Sequence, residues 1–415
     1  MDRFRIISDL HLDVNYNYYL GIKKDDVFTI IAGDTSGEQF IITHKAPKHV
    51  SFEICDDFKF IQYIGKNNGI VKLVYDSQTK KWTYKDKLFD YTNELAGTNI
   101  YITNPSKLRH SDKIIVNIIN VEKWIKEHIS KGILVAGNHI VYNHYNKTIE
   151  DLKENLANKF SLKSNISFLD NATGVMSKEV DGILFIGTTL YTDYEYVSET
   201  CKDWLDGRPI DKIIDVNCSI ASPKFSGGGL NDFNYGRTRE CKYIQSSDCE
   251  KLDWYYLRPK NYLDFFNRSF AEIKSIVENN NDKDIVIVTH HGISPKCISK
   301  EYVRNDMNAS YISNLEDFIQ SHKNIKCWCC GHVHHRADFK IGQCRVVMNP
   351  LGYCKYGQFL KNKENKRDWS FNTFVDTKTW TVTYEPFDIN AMKATYEEDK
   401  RMREMAYQTY GQFFI

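Results

Sequence analysis

Hydrophobic residues of this chain occur in short runs, and six of these runs end directly in a polar cluster. They predict strands near residues 4–7, 27–32, 132–136, 183–187, 285–288 and 325–330. Apolar residues that recur at three- and four-residue spacing predict helices near 115–129 and 262–278. Strands that alternate with helices favour an α/β fold, with helices on both faces of the sheet.

Five of the six polar clusters consist of residue types that bind divalent metals, and the run at 183–187 ends in Thr188-Thr189 instead. Carboxylate, imidazole and amide oxygen groups together suit zinc, manganese or iron. Each cluster alone is a weak signal, since an Asp-x-His sequence also occurs in turns and helix caps. Ligands of α/β proteins bind at the carboxyl ends of strands, so clusters in these positions together predict one metal site. The clusters contain Asp9 and His11, Asp34, Asn138 and His139, His290 and His291, and His332 and His334.

A long segment interrupts the alternation of strands and helices between Asp34 and Asn138. It far exceeds the roughly 30 residues that a strand–helix–strand unit needs. Short runs of alternating residues within it are separated by turns such as Asn67-Asn68-Gly69, which predicts an inserted β-rich subdomain. The predicted parts of the chain are a discontinuous core (1–39 and 114–387), the insertion (40–113) and a charged helical tail (388–415).

Two other segments of the core have a recognisable local pattern. The segment near 195–229 ends in a glycine-rich stretch at 226–229, and we predict a long loop there. Strand-forming residues near 372–375 and 380–384 predict a hairpin close to the end of the core.

The composition is that of an ordinary globular protein. With 415 residues, of which 42% are apolar and 26% charged, the chain can bury a sizeable core and is unlike a disordered protein. Its net charge of +1 gives no overall attraction to nucleic acid or anionic lipid. No stretch approaches the about 20 apolar residues of a spanning helix, and no signal peptide is visible. We therefore expect a cytoplasmic protein without a membrane partner, whose oligomeric state the sequence does not indicate.

The 11 cysteines lack the regular spacing of a disulfide framework, which favours reduced thiols. Cys327, Cys329 and Cys330 lie close to His332 in sequence and raise the alternative of a zinc site. Alternation along a strand points Cys330 to the opposite face from the other two, which opposes a single tetrahedral site. We expect buried strand thiols.

The order of the polar clusters resembles the calcineurin-like metallophosphoesterase superfamily. Gly331-His332-Val333-His334, directly after a strand, is the most specific matching motif. The resemblance implies a two-sheet sandwich flanked by helices, and hydrolysis of phosphate esters. From about residue 187 to 353 the chain resembles more closely a poorly characterised branch of predicted cytosolic metallophosphoesterases. The matching segments are Thr188-Thr189-Leu190-Tyr191-Thr192-Asp193, Leu230-Asn231-Asp232-Phe233, Val288-Thr289-His290-His291 and residues 345–353.

The resemblance implies two divalent metal ions, with manganese favoured and iron or zinc as alternatives. In such a site a shared carboxylate screens the repulsion between the ions, and a metal-bound hydroxide attacks phosphorus. The implied ligands are Asp9, His11 and His334 for one metal, Asn138, His290 and His332 for the other, and Asp34 as the bridge.

His139 resembles the catalytic histidine of the superfamily, which donates a proton or hydrogen bond to the leaving oxygen. Many members follow this histidine with a carboxylate, whereas this chain has Ile140. The remaining candidates contact the substrate or orient a ligand, with ordinary hydrogen bonding as the alternative for each. These candidates are His291, Asn231, Asp232 and Arg345.

Three functions are compatible with these observations. The first is a phosphomonoesterase or phosphodiesterase, with a small phosphate ester or a nucleotide as substrate. The second is a nuclease, in which aromatic and lysine side chains between residues 58 and 87 form a single-strand stacking surface. An ordinary sheet with a solvated lysine face explains the same pattern. The third is a non-catalytic scaffold for protein binding, which would be expected to lose metal ligands, whereas every expected ligand is present.

Overall fold

The computed structural model describes residues 1–11, 25–35, 121–142, 147–223, 229–240, 254–352 and 370–385, together with the backbone of strands between residues 39 and 120. The first strands in chain order are β1 (Arg3–Ile7), β2 (Phe28–Ala32), β3 (Gln39–His44), β4 (Phe52–Ile54), β5 (Phe60–Ile64), β6 (Ile70–Asp76), β7 (Lys81–Tyr84), β8 (Lys87–Phe89), β9 (Ile100–Tyr101), β10 (Ile115–Asn120) and β11 (Lys131–Val135). The later strands are β12 (Ile166–Phe168), β13 (Ser177–Val180), β14 (Ile183–Gly187), β15 (Arg237–Thr238), β16 (Tyr255–Tyr256), β17 (Asp284–Val288), β18 (Ile325–Cys330), β19 (Ala337–Ile341), β20 (Cys344–Met348), β21 (Thr373–Asp376) and β22 (Val382–Tyr384).

Two mixed six-stranded sheets form the centre of the molecule. The first has the order β12-β11-β2-β1-β21-β22, and its first four strands run parallel. The second has the order β13-β14-β17-β18-β20-β19, and its four inner strands run parallel. Because parallel neighbours end at the same edge of a sheet, the turns after these strands gather into two rows.

The helices cover the outer faces of the two sheets. Among the described residues, no helix is long and apolar enough to cross a membrane. The helices are α1 (Val121–His128), α2 (Ile149–Lys159), α3 (Lys202–Leu205), α4 (Ile210–Ala221), α5 (Asp232–Tyr235), α6 (Pro259–Glu278) and α7 (Glu316–Ser321).

Alternation along the strands divides the core into layers. Phe4 and Ile6 of β1 face the second sheet, where they pack with Phe185 and Val288, whereas Ile7 faces the helices. Side chains of a strand point alternately to its two faces, so one apolar strand supplies both layers. The result is a two-sheet sandwich flanked by helices, and the α/β fold predicted from the sequence is confirmed.

The cysteines of β18 follow the same alternation. Cys327 and Cys329 lie between the sheets, with their Sγ atoms 3.8 Å apart, and Cys330 lies on the helix side. All three are buried, and none belongs to a metal-ligand group among the described residues. The prediction of buried strand thiols is confirmed.

Two predicted elements differ from the structure, the first of them only in its first six residues. The segment predicted as the start of a helix near 115–129 is β10, which pairs antiparallel with β3, and the helix begins only at Val121. Isoleucine and valine dominate β10 and favour a strand once a partner strand is present. The segment near 195–229, predicted as a loop, contains α3 and α4. Helix α4 buries residues at helical spacing: Ile213, Asn217, Cys218 and Ala221.

Strands β4 to β9 form a separate antiparallel sheet in the order β8-β7-β6-β5-β4-β9. They lie within the segment predicted as a β-rich insertion. The boundaries of that insertion at 40 and 113 remain a prediction, as does the helical tail at 388–415, which lies outside the described residues.

Asp170 joins a helix to both sheets. This buried residue follows β12 of the first sheet, and its carboxylate accepts hydrogen bonds from Lys153 Nζ of α2 at 2.9 and 3.0 Å. It also accepts from the Thr189 backbone N–H, 3.3 Å away, directly after β14 of the second sheet. The Thr189 carbonyl in turn accepts from the N–H of His290 at 3.3 Å. A buried ion pair therefore supports the strand ends where the polar clusters lie.

Replacing Lys153 tests this support. Lys153→Met leaves the Asp170 charge buried without its partner, which is expected to lower the free energy of unfolding by about 3–5 kcal/mol. Chemical denaturation measures the loss. The control is Lys283→Met, which removes an exposed ion pair with Glu179 and should cause no measurable change. Equal effects of the two substitutions would contradict the role of Asp170.

Candidate metal centre

The predicted ligands come from both sheets and meet where the parallel strands end. Asp9 and His11 follow β1, Asp34 follows β2, and Asn138 follows β11, all in the first sheet. The second sheet supplies His290 after β17 and both His332 and His334 after β18. Ser8 bridges to Pro350 and the Gly331 N–H donates to the His290 carbonyl at 2.9 Å, so hydrogen bonds hold these turns together.

Several of these residues have a backbone conformation that is rare outside glycine. A positive φ costs a non-glycine residue of order 1–3 kcal/mol and persists only where the surroundings enforce it, although Asp and His tolerate it better than most residues. Turns with this conformation reverse the chain sharply after a strand, which aims the side chain across the strand ends. The residues concerned are Asp9 (52°), His11 (43°), Asp34 (45°), His332 (70°) and His334 (48°).

The first ligand group consists of Asp9, His11 and His334. The Nε2 atoms of His11 and His334 lie 2.8 Å apart, and His334 Nε2 lies 3.5 Å from Asp9 Oδ1. One ligand atom from each residue lies within 4.8 Å of the other two. Asp9 Oδ1 also accepts the His332 backbone N–H at 2.9 Å, which ties the turn after β18 to the turn after β1. His334 is partly exposed, so this side of the group faces solvent.

The second ligand group consists of Asp34, His290 and His332, with Asn138 beside them. His290 Nε2 lies 3.2 Å from His332 Nδ1 and 3.0 Å from Asn138 Oδ1. The other ring nitrogen of His290, Nδ1, lies 3.1 Å from the Ala32 carbonyl and can donate to it. When the ring is neutral with its proton on Nδ1, Nε2 of His290 is the nitrogen that faces the group and can bind a cation.

Asp34 lies between the two groups. Its Oδ2 atom is 3.8 Å from His11 Nε2 of the first group and 3.2 Å from His290 Nε2 of the second. Its Oδ1 atom accepts the backbone N–H of His139 at 2.9 Å. The carboxylate is therefore in the position that a shared ligand of two cations requires.

Two glycines allow this close approach. A Cβ atom at Gly137 would overlap Asp34 Oδ1, and a Cβ atom at Gly331 would overlap Asp9 Oδ2. Both carboxylates therefore pack directly against backbone that carries no side chain. The glycines of the Gly-Asn-His and Gly-His-x-His motifs are required by this contact.

Burial and charge set the protonation of the imidazoles. Burial lowers the pKa of His11 and of His332 well below the usual histidine value, so both are neutral at physiological pH. Burial also disfavours the charged form of His290, but the Asp34 carboxylate outweighs it and raises the pKa of His290 to about 9. Burial opposes ionisation of Asp34, yet His290 and His139 hold the pKa of its carboxyl well below the usual value.

These groups fit divalent cations. Asp9 Oδ2 is buried and has no hydrogen-bond partner among the described residues. Two pairs of ring nitrogens face each other, His11 with His334 and His290 with His332. Two such nitrogens can approach closely only with a proton or a cation between them. Imidazole nitrogens, carboxylates and an amide oxygen form a donor set that manganese, iron and zinc accept. The clusters of buried histidine and aspartate thus form a candidate site for two metal ions.

His139 lies at the edge of the first group. Its ring centroid is 4.4 Å from that of His11 and 4.0 Å from that of Tyr142. Ile140, which occupies the place of the acidic residue found in many metallophosphoesterases, is buried in the apolar layer beneath the site. No carboxylate directly follows His139 in the chain, but a nitrogen of its ring lies within 4.8 Å of ligand atoms of His11 and Asp34.

Two of the four further candidates lie at the site. Asp232 is buried and accepts a hydrogen bond from Asn138 Nδ2 at 3.0 Å. His291 is also buried, with its ring 4.2 Å from that of His332 and its Nδ1 atom 3.4 Å from the Thr189 carbonyl. His291 therefore packs behind the ligands.

The other two candidates make contacts elsewhere. Asn231 is exposed, and its side-chain oxygen accepts from Asn234 at 3.4 Å. Arg345 lies within β20 and forms an ion pair with Asp338 on the neighbouring strand β19. The structure does not bring either side chain into hydrogen-bond contact with a candidate ligand among the described residues.

Sequence reasoning missed the residues that support the site from behind. Tyr142 and Tyr262 both donate to Asp232, at 2.6 and 3.1 Å. Lys153 and Asp170 hold the turn that carries Thr189. Tyr262 lies on the predicted amphipathic helix, where its pattern is that of an ordinary core residue, so the sequence contained no signal for its hydroxyl contact.

No protein-family model matches the chain, and no curated protein matches it. Among the solved structures that match is a phosphopantetheinyl hydrolase from Mycobacterium tuberculosis, with a TM-score of 0.44, 11% identity, and coverage of 87% of this chain and 93% of that chain. A dimetal phosphatase from Danio rerio has a TM-score of 0.29, 11% identity, and coverage of 56% and 76%. A candidate 5'-nucleotidase from Staphylococcus aureus, solved with alpha-ketoglutarate, has a TM-score of 0.24, 14% identity, and coverage of 55% of this chain and 34% of that chain. All three have the metallophosphoesterase fold. Similarity at this level transfers no substrate.

Adding a methyl group at Gly137 is expected to displace Asp34. Gly137→Ala should destabilise the protein by about 1–3 kcal/mol through overpacking and should also remove bound metal, because Asp34 cannot keep its position. The control is Gly207→Ala, where φ is +72° but nothing lies within 4 Å. That variant should lose about 1–2 kcal/mol of stability yet keep its metal content. Metal analysis and denaturation together distinguish these outcomes; an unchanged metal content in Gly137→Ala contradicts the argument.

The pKa of His290 leads to a pH prediction for the metal-free protein. His290 keeps its proton in the folded state up to about pH 9, whereas an unfolded histidine loses it near 6.5. The stabilisation from the His290–Asp34 pair is therefore full below pH 6.5 and is lost as the pH rises to about 9. The free energy of unfolding should fall across this interval, and the fall should be shallower in His290→Asn. Urea denaturation across the interval tests this, and equal slopes would contradict it.

Proposed function

We propose that this protein is a metal-dependent hydrolase of phosphate esters that uses a dinuclear metal centre. The observation that carries the proposal is the arrangement of two buried groups of histidine and aspartate around the shared carboxylate of Asp34. A structural role for these residues would not explain why buried ring nitrogens face each other in two pairs. A non-catalytic scaffold would need no such convergence of seven candidate ligands.

Metal ions held by these residues would supply a nucleophile near neutral pH and positive charge for the phosphate oxygens. Asp9, His11 and His334 would hold one ion, and Asn138, His290 and His332 the other, with Asp34 shared.

His139 would hold a proton on a ring nitrogen and donate it, or a hydrogen bond, to the leaving oxygen. The Asp34 carboxylate accepts the backbone N–H of His139 at 2.9 Å, which fixes where the turn places the ring. The ring of Tyr142 packs against the His139 ring at a centroid distance of 4.0 Å.

The proposed substrate is a phosphomonoester or phosphodiester, with nucleotides included. Manganese is the proposed metal, with iron or zinc as alternatives, and the proposed location is the cytoplasm. The nuclease alternative depends on side chains between residues 58 and 87, which lie outside the described side chains, and it remains a prediction.

Two substitutions test the hydrolase proposal. Asp34→Asn removes the shared carboxylate, and His332→Ala removes a ligand. Each should reduce metal-dependent turnover of p-nitrophenyl phosphate and of its bis-ester by more than about 100-fold. This loss exceeds the effect of removing a residue that only hydrogen-bonds to a metal ligand. The ratio of the two wild-type activities separates monoesterase from diesterase.

The matched control for these variants is His335→Ala, which changes an exposed histidine directly beside His334. It should keep wild-type turnover. Circular dichroism of the metal-free variants checks that the fold is intact. Full metal-dependent activity in both Asp34→Asn and His332→Ala would overturn the proposal.

A further inference from the structure

The carboxylate of Asp232 lies directly behind the Asn138 amide. Both of its oxygens face Asn138 Nδ2, at 3.0 and 3.1 Å, although the two residues are far apart in the chain. The opposite atom of the amide, Oδ1, faces His290 Nε2 at 3.0 Å. Asn138 is thus held between a carboxylate on one side and the second ligand group on the other.

An asparagine amide is an ambiguous metal ligand. Its oxygen can bind a cation, but its NH₂ group cannot, and a rotation of the side chain exchanges the two. A carboxylate accepts hydrogen bonds and donates none, so it attracts the NH₂ group and repels the oxygen. Asp232 therefore permits one orientation of Asn138, with the oxygen toward His290.

We propose that Asp232 is a positioning residue, which fixes the Asn138 amide so that its oxygen faces the second metal position. The proposal rests on the dinuclear centre proposed above. It assigns Asp232 a role in metal binding through Asn138 rather than a contact with the substrate.

The surroundings of Asp232 support positioning over substrate binding. The residue is only 1% exposed, and both oxygens have additional donors: Tyr142 donates to Oδ1 at 2.6 Å and Tyr262 to Oδ2 at 3.1 Å. Burial and the charge of Asp232 raise the pKa of Tyr262 well above the usual value, so its hydroxyl remains a donor. A carboxylate with this many protein donors has no oxygen left for a substrate hydroxyl, and its charge would repel a phosphate.

Tyr142 extends the same arrangement to the proposed acid. Its hydroxyl is held by Asp232 while its ring packs against His139 at a centroid distance of 4.0 Å. One buried carboxylate therefore restrains two consecutive residues of the Gly-Asn-His motif, Asn138 by hydrogen bonds and His139 by packing.

The first test is Asp232→Asn in the full-length chain. An amide at position 232 can donate as well as accept, so Asn138 is free to turn its NH₂ group toward the metal. Metal-stripped protein is titrated with Mn²⁺ and binding is measured by calorimetry and metal analysis. One of the two ions should bind about 10–100-fold more weakly, which is the usual effect of removing a hydrogen-bond partner of a metal ligand. The control is Asn234→Ala, an exposed position on the same short helix, which should bind like wild type.

The second test is rescue by exchange of the two groups. Asn138→Asp alone places two carboxylates against each other and should weaken binding of the same ion. In the double variant Asn138→Asp with Asp232→Asn, the amide at 232 donates to the carboxylate at 138, which again presents an oxygen to the metal. The double variant should bind this ion more tightly than either single variant, a result that a merely structural role of Asp232 would not produce.

The outcomes separate this inference from the proposed function. Wild-type protein that binds no Mn²⁺ would overturn both. The role of Asp232 alone would be overturned if wild type binds two ions and Asp232→Asn binds both as tightly as wild type. It would also be overturned if the losses of affinity in the two single variants simply add in the double variant. If metal-free Asp232→Asn is unfolded by circular dichroism, Tyr262→Phe replaces it: loss of one donor to Asp232 should weaken the same ion, and unchanged binding would contradict the inference.

Discussion

The burial of the Asp34 carboxylate is the constraint on which the rest of the site depends. A buried charge is costly unless donors or opposite charges surround it. Asp34 meets this requirement with groups from two other strand ends: the N–H of His139 after β11 at 2.9 Å and the ring of His290 after β17 at 3.2 Å. The carboxylate can be accommodated only where both sheets end together, so the sandwich and the site stabilise each other.

The layered core determines where those strand ends lie. Alternating residues such as Phe4, Ile6 and Val288 pack between the sheets, which fixes the separation of the two rows of turns. Because interiors are close-packed, a shift of one sheet against the other would separate ligands that now lie about 3 Å apart. Asp170 adds a polar link between the same sheets through the backbone of Thr189.

Much of this arrangement could be predicted from the sequence, because strand runs and ligand types are local signals. Six of the twelve strands in the two central sheets (β1, β2, β11, β14, β17 and β18) were predicted to within one or two residues, as was the position of the polar cluster after each of them. The pairing of β10 with β3 could not be predicted, since the partner lies far away in the chain. For the same reason Asp232 could be named as a candidate, but its contact with Asn138 could not: it depends on where α5 and α6 pack.

The presence of an amide among the ligands has a physical consequence for phosphate chemistry. Asp9 and Asp34 are the only carboxylates among the seven candidate ligands, so two divalent ions would leave the centre with positive charge for an anionic substrate. A carboxylate at position 138 would reduce that charge. An asparagine preserves it but introduces an ambiguous orientation, which Asp232 resolves from behind. The hydroxyls of Tyr142 and Tyr262 both donate to the Asp232 carboxylate and so partly compensate its negative charge behind the amide.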